Sequence, residues 1–434
     1  MTRRIDTLIV GAGQAGLALS HYLTSAGHEH VLLERGRLGQ AWHDRWDSLT
    51  LLSPNWMNRL PGSEPHADEN GFLDRGQFVA YLDDYARSFG APVLEGTEVR
   101  SVRRLDGGFR IDTRAGRWSA RNVVVAVGDA ALPNVPLPAP NGVPSLHGAE
   151  YRRPELVPDG PVLVVGASAS GQQLALELAA SGRDVAISVG QHGRTPRAYR
   201  GRDIFSWVAL LGDFDRTIDE LPDLEAAKRM PLFPLSGANG GEDLGLDRLR
   251  SVGIRIAGRL LGFDGTRAVF ADDLETNIAK AEERLSALLR RIDAHPAARG
   301  TCAKAPRPFT LPPGPPALDL RRFGAIIWAT GYRRAYPWLR IPEALDARGE
   351  LIQRQGSTPV PGLYVLGLRY QHRRSSHFIG GVGRDARTLV DAIDRRARRR
   401  GGRVAVTRPA GARRASCRPV GRRASASIGR GPRE

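Results

Sequence analysis

"TLIVGAGQAG" spans residues 7–16, and an altered copy, "VLVVGASASG", spans residues 162–171. In both, a short apolar run of strand type enters a glycine turn that opens a helix. After the first turn Ala15, Ala18, Leu19, Tyr22 and Leu23 recur at helical spacing on one face. Gly27 stops that helix, and "HVLLE" (30–34) reads as the next strand, completing a strand–helix–strand unit. After the second turn Gly171, Leu174, Ala175, Leu178 and Ala179 form a small apolar face. Gly182 ends the helix, and "DVAISV" (184–189) follows as a strand. Gly11 and Gly166 are 155 residues apart, about one domain length. The sequence therefore predicts two nucleotide-binding units.

A dinucleotide turn needs three small positions: one for the tight turn, one for backbone approach to a pyrophosphate, and one for close helix–strand packing. Gly11, Gly13 and Gly16 supply them, with Gln14 and Ala15 opening the helix whose N-terminus favours an anion. Eighteen residues after Gly16, Glu34 ends the second strand, followed by Arg35. A carboxylate there accepts bonds from both ribose hydroxyls and repels a 2′-phosphate, so this unit is expected to take FAD or NAD. The copy reads Gly166, Ser168, Ser170, Gly171, with Ser168 in place of the middle glycine. No acid follows its second strand, where Gly190 and Gln191 stand, and Arg194, Arg197, Arg200 and Arg202 come next. Losing the acid and gaining guanidinium groups suits NADPH, with Arg194 and Arg197 expected at the 2′-phosphate. The economical assignment is bound FAD in the first unit and exchanging NADPH in the second. Val99, Gly128 and Gly367 are further candidate cofactor contacts, at or near the ends of "GTEVRSV" (96–102), "NVVVAVG" (122–128) and "LYVLG" (363–367).

The 434 residues allow two or three domains. No apolar run approaches the roughly 18–20 residues of a membrane span, and the apolar run after Met1–Arg4 is too short for a secretory signal. The expectation is a soluble, cytoplasmic protein. Cys302 and Cys417 are 115 residues apart, which excludes a disulfide framework, a cysteine zinc site and a CxxC redox pair, and no metal is expected. The net charge of +17 is concentrated in residues 395–434, which hold 14 arginines and one glutamate. It is not taken as a nucleic-acid signature, since the tail lacks interleaved aromatics.

Two Pro-rich crossings, 132–144 and 305–316, frame a central block. The expected fold is α/β with two Rossmann-like dinucleotide-binding domains, the FAD domain being split by an inserted NADPH domain. The expected boundaries are 1–155 for the first part of the FAD domain, 156–317 for an NADPH domain with a helical insertion, 318–397 for the returning part and 398–434 for a disordered basic tail.

Several segments resemble the class B flavin-dependent monooxygenases, most nearly the bacterial CzcO-like flavoproteins and the plant YUCCA-type enzymes. They are "GAGQAG", "LGQAWHDRWDSLTLLSP" (38–54), "SLHGAEYRRP" (145–154), "VGASASG" and "IIWATGYR" (326–333). The likeness extends over about residues 5–393. Gly39 and Trp42 match the family's flavin-proximal GxxW. Ala329, Thr330 and Gly331 match its ATG element, expected at the return to the FAD domain. His147 and Tyr151 match the last two fixed positions of its fingerprint, while Asn141 and Val143 replace the Phe and Gly. The resemblance implies that NADPH reduces FAD and that the reduced flavin activates O2 as a C4a-(hydro)peroxide to oxygenate a small organic substrate. No catalytic side chain is implied; Asn55 and His147 read more readily as structural. Trp42, Trp46, Trp56 and Phe72 fit either a flavin wall or core. An uncoupled NADPH oxidase, an electron-transferring flavoprotein and a non-catalytic flavin-binding regulator of ion transport stay open. Oligomeric state is not set by the sequence.

Overall fold

The computed structural model describes residues 2–129, 132–302 and 306–399. β1 (Thr2–Val10) leads through the first glycine turn into α1 (Gln14–Ser25) and β2 (His30–Leu33). The short α2 (Gln40–His43) and α3 (Arg75–Ser88) follow, α3 being started by a reciprocal cap between Asp74 and Gln77. β3 (Val93–Leu94) continues the sheet beyond β2, and β4 (Val99–Leu105), β5 (Gly108–Thr113) and β6 (Gly116–Val125) form an antiparallel meander. β6 is long enough to serve two structures. Along one edge it pairs parallel with β1 from Arg117 to Val125; along the other its first half pairs with β5 and its second half pairs parallel with the distant strand Leu363–Val365. The central parallel order is thus β3, β2, β1, β6, Leu363–Val365. The first sheet is completed by chain that returns after the inserted block. One face is covered by α1, α3 and the helix Val382–Arg399, with Leu17, Phe78, Leu389 and Ile393 fully buried. The other is covered by the meander and by Tyr336, Leu339 and Ile341.

β7 (Leu132–Pro133) lies in the first crossing and pairs antiparallel with Tyr332–Arg333 of the return crossing. β8 (Ser145–His147), β9 (Val162–Val165) and β10 (Val185–Ser188) belong to a second, all-parallel sheet in the order Arg255–Ala257, β10, β9, Ala325–Trp328, β8. β9 and its neighbours are buried on both faces, as parallel strands are when helices cover one side and hairpins the other. α4 (Ala169–Ala180) and the helix Leu274–Ala294 close one face; strands Leu260–Asp264, Arg267–Phe270 and Ala317–Asp319 lie on the other.

Three expectations are corrected. β8, placed by sequence in the first part, and Ala325–Trp328, placed in the returning part, are strands of the second sheet. β9 has a parallel partner on each side, and Ala325–Trp328 is the one that fills its free edge. The helical insertion expected within 156–317 is not all helix: it supplies the edge strand Arg255–Ala257 and the hairpin after it, whose arginines and glycines masked the strand pattern. The expected tail begins inside the last helix, since Arg398 and Arg399 close it; residues 400–434, with Cys417, lie outside the described residues. Among the described residues no helix is long and apolar enough to cross a membrane, and no cluster of metal-ligating side chains occurs.

Candidate functional site: two glycine cradles

Each glycine turn is fixed by backbone contact. A Cβ on Gly11, whose φ is +106°, would lie 2.6 Å from the Ala126 carbonyl oxygen, and one on Gly16 would lie 2.1 Å from the Gly11 oxygen. The second turn repeats this. A Cβ on Gly166 (φ +109°) would lie 2.6 Å from the Ala329 oxygen, and one on Gly171 would lie 1.9 Å from the Gly166 oxygen. No side chain fits at these positions, because strand, turn and helix share one close approach. The middle positions differ from them. A Cβ on Gly13 would meet nothing within 4 Å, and Ser168 carries its hydroxymethyl at the same N-cap place without capping α4. Both stand at a helix start whose first N–H groups lack intrahelical partners, which suits a pyrophosphate. Ser170 is exposed in the first turn of α4.

The repeat also reassigns Gly331. Ala329–Gly331 stands over Gly166 as Ala126–Gly128 stands over Gly11. The ATG element is therefore the floor of the second cradle and not a part of the first. Gly128 and Gly331 both adopt positive φ and both leave open space where a side chain would be. His147 fixes the Gly331 turn. Ala149 N–H donates to its Nδ1 at 3.1 Å, so its Nε2 carries the proton and donates to the Gly331 oxygen at 2.9 Å. Burial holds His147 below the usual histidine value, in keeping with a neutral ring. The imidazole is a strut, and Tyr332 packs edge-on against it.

Around the first cradle the carboxylate of Glu34 is buried. It accepts from Ala12 N–H at 3.0 Å and Gly36 N–H at 3.1 Å. Gly39 N–H donates to the Ala12 oxygen, and Trp42 Nε1 donates to Gln14 Oε1 at 3.0 Å, so the GxxW element is tied to the turn at two points. Arg35 is exposed beside it. Gly367 also touches this turn, since a Cβ there would lie 2.9 Å from the Ala15 Cβ. Val99 is a buried core residue of β4; the edge beside Glu34 is made instead by Thr97 N–H, which donates to the Glu34 carbonyl, and Gly96 N–H, which donates to the Gly36 carbonyl. Asp129, which the sequence did not single out, joins three segments: it accepts from Arg334 Nε at 2.7 Å and from Arg369 N–H at 3.2 Å. Beyond Gly367 the buried atoms Arg369 Nε, Gln371 Nε2, His372 Nδ1 and His377 Nδ1 have no hydrogen-bond partner within the protein, His372 Nδ1 lying 3.8 Å from Asp385 Oδ1. Buried polar atoms are nearly always paired, so this row fits a polar group such as the ring system of a flavin. Desolvation pulls the His377 pKa down to about 4.

The arginines after β10 are not free for a phosphate, which corrects their expected role. Arg194 is ion-paired with Glu282, lies 3.6 Å from Asp247 and donates to the Arg307 oxygen. Arg197, with a side chain 9% exposed, donates to Asp203 at 2.7 Å and to the Leu52 oxygen at 2.6 Å, and stacks on Phe72. It pins the second unit to the first. Arg200 is bonded to Asp293, and Arg202 lies over Trp207. Asn55 is likewise structural, its amide bonded to Asp68 O and Leu73 N–H. Trp46 is core; Trp56 lines a cavity of about 520 Å³ with Met57, Phe214 and Phe378, where the glycines 380, 381 and 383 begin the last helix.

Residues 8–208 match the family model of pyridine nucleotide-disulphide oxidoreductases. The chain is 33% identical to the CzcO-like oxidoreductase of Geobacillus kaustophilus over 91% of its length and 99% of that protein. It is 28% identical to the indole-3-pyruvate monooxygenase YUCCA1 of Oryza sativa subsp. japonica, over 83% of this chain and 86% of that one. Among solved structures, the flavin-containing monooxygenase of Stenotrophomonas maltophilia superposes with a TM-score of 0.63 at 22% identity, covering 91% of this chain and 99% of that one.

Proposed function

The chain belongs to the class B flavin-dependent monooxygenases, oxidoreductases that use FAD and NADPH, and on that premise we propose that it oxygenates a small organic substrate with O2. FAD, when bound, would supply hydride acceptance from NADPH and the reducing equivalents for O2 activation, the overall change being insertion of one oxygen atom into the substrate and release of the other as water. The chain's own residues bind and orient. In this reading Gly11, Gly13 and Gly16 with the α1 N-terminus hold the FAD pyrophosphate, and Glu34 takes its ribose. Gly166, Ser168 and Gly171 with α4 do the same for NADPH. Trp42, Gly128 and the segment after Gly367 enclose the flavin, and the cavity beside Trp56 and Phe378 is the place for an apolar substrate.

One observation carries the reading. The chain has two cradles of the same backbone geometry, of which only the first has a ribose carboxylate, and the sequence offers no cysteine pair to take the electrons. The test is anaerobic reduction of the FAD-loaded protein with NADPH, then mixing with O2 while the flavin spectrum is followed. A slowly decaying spectrum distinct from oxidised flavin, lengthened by NADP⁺, supports oxygenation. Immediate reoxidation with stoichiometric hydrogen peroxide and no oxygenated product identifies an oxidase instead.

A further inference from the structure

The NADPH reading leaves the 2′-phosphate without an evident partner in this loop, because Arg194, Arg197 and Arg200 are held by carboxylates and Arg202 lies over Trp207. The strand register says where that partner must stand. Val10 pairs with Leu33 and Val165 with Ser188, so Val189 occupies the place of Glu34 and Gly190 that of Arg35. Val189 is fully buried and its N–H is bonded to the Ala257 oxygen, so it offers a ribose no side-chain bond. The surface there is Gly190, and over it lies a residue 69 positions later. A Cβ on Gly190 would sit 3.6 Å from Cγ and Cδ of Arg259.

We propose that Arg259, just beyond the edge strand Arg255–Ala257, is the residue that selects a 2′-phosphorylated dinucleotide in the second cradle. This rests on the NADPH reading above. Three features distinguish Arg259 from the other arginines. Its backbone is held rigidly: Ser188 Oγ donates to the Gly258 oxygen at 3.0 Å and accepts from Leu260 N–H at 2.9 Å, and Arg259 N–H donates to Asp273 Oδ1 at 3.0 Å. Its side chain is 59% exposed, against 14% for Arg194 and 9% for Arg197. Its ion pair with Asp273 Oδ2 is long, at 3.4 Å, so the guanidinium can turn to a phosphate without leaving a buried carboxylate bare. A planar fork over Gly190 can grip a phosphate with two bonds while its stem covers the adenine edge.

The test is calorimetric titration of the FAD-loaded protein with NADP⁺ and with NAD⁺, without turnover. Arg259→Ala is expected to weaken NADP⁺ by about tenfold or more and to leave NAD⁺ within about twofold, since a charged hydrogen-bonded pair is lost only with the phosphate. Arg259→Lys is expected to restore part of the preference, and Arg194→Ala to leave it unchanged. An unchanged NADP⁺-to-NAD⁺ ratio in Arg259→Ala, or equal binding of the two by the parent protein, overturns the proposal. Neither dinucleotide binding at all would instead sink the NADPH reading on which it rests.

Discussion

The two cradles share a backbone and part company at the ribose. In both, glycine is required where strand, turn and helix meet: Gly11 against Ala126 and Gly166 against Ala329. In the first, the residue after the second strand is Glu34, buried and accepting from one amide of the glycine turn, Ala12, and one of its own loop, Gly36. In the second, the same register position is Val189, an apolar core residue, and the charges come from elsewhere. The turn is thus a conserved piece of geometry within this one chain, fixed by sub-van der Waals space. Under the proposed assignment the side chain that selects the dinucleotide differs in origin between the two copies: Glu34 at a strand end in the first, Arg259 from a later segment in the second. A glycine motif alone reports that a pyrophosphate fits; the adjoining strand end is informative in the first copy and silent in the second.

The largest expected effect separates support from recognition. Arg197→Ala leaves Asp203 and the Leu52 oxygen without their buried partner and is expected to cost about 3–5 kcal/mol in denaturant unfolding, with the NADP⁺-to-NAD⁺ ratio unchanged. A collapse of that ratio at full stability would return Arg197 to the second site and break the comparison.

Acid should act through the segment beyond Gly367. The His377 pKa lies near 4 when folded, against 6.5 ordinarily, because burial disfavours the charged ring. The unfolded chain therefore takes up the proton first. This contribution to stability is complete above pH 6.5 and falls by about 1.4 kcal/mol per pH unit down to about pH 4. In His377→Gln the difference between unfolding free energies at pH 7 and pH 5 should shrink; an unaltered difference would show that other groups carry the acid sensitivity.

Paired alanine substitutions sharpen the contrast between the copies. Gly16→Ala and Gly171→Ala each force a Cβ onto a carbonyl oxygen and should each cost about 1–3 kcal/mol. The first should be purified with less bound flavin. The second should keep its flavin absorbance but be reduced slowly by NADPH. The reverse pattern would exchange the two cofactors. The smallest effect is expected for Glu34→Gln, which keeps the shape and an amide oxygen but loses the charge. FAD dissociation, followed by flavin fluorescence, should rise about tenfold.

Much of this architecture was legible in the sequence because it depends on local pattern. A strand, three small residues and a helix must be contiguous to make a cradle, so Gly11, Gly13, Gly16 and their copies at Gly166, Ser168 and Gly171 announced themselves. Glu34 was legible for the same reason, since it ends the very next strand. The arginines after β10 misled because proximity in sequence was taken for orientation. Asp203, Asp243, Asp247, Glu282 and Asp293, which hold them, come from later segments. The ATG element was recognised but given to the wrong cradle, as strand pairing between residues 163 positions apart leaves no local trace.

The sequence by itself determined that two glycine cradles exist, that an acid, Glu34, ends the strand beside the first, and that no CxxC pair follows them. Tertiary structure alone decided that Ala325–Trp328 floors the second cradle, that Arg197 clasps the two units together, and that Arg259 overhangs Gly190. The physical reason is range. Turn sterics and helix periodicity act over a few residues and are written in the chain, whereas sheet edges and ion pairs join residues by where the folded backbone brings them.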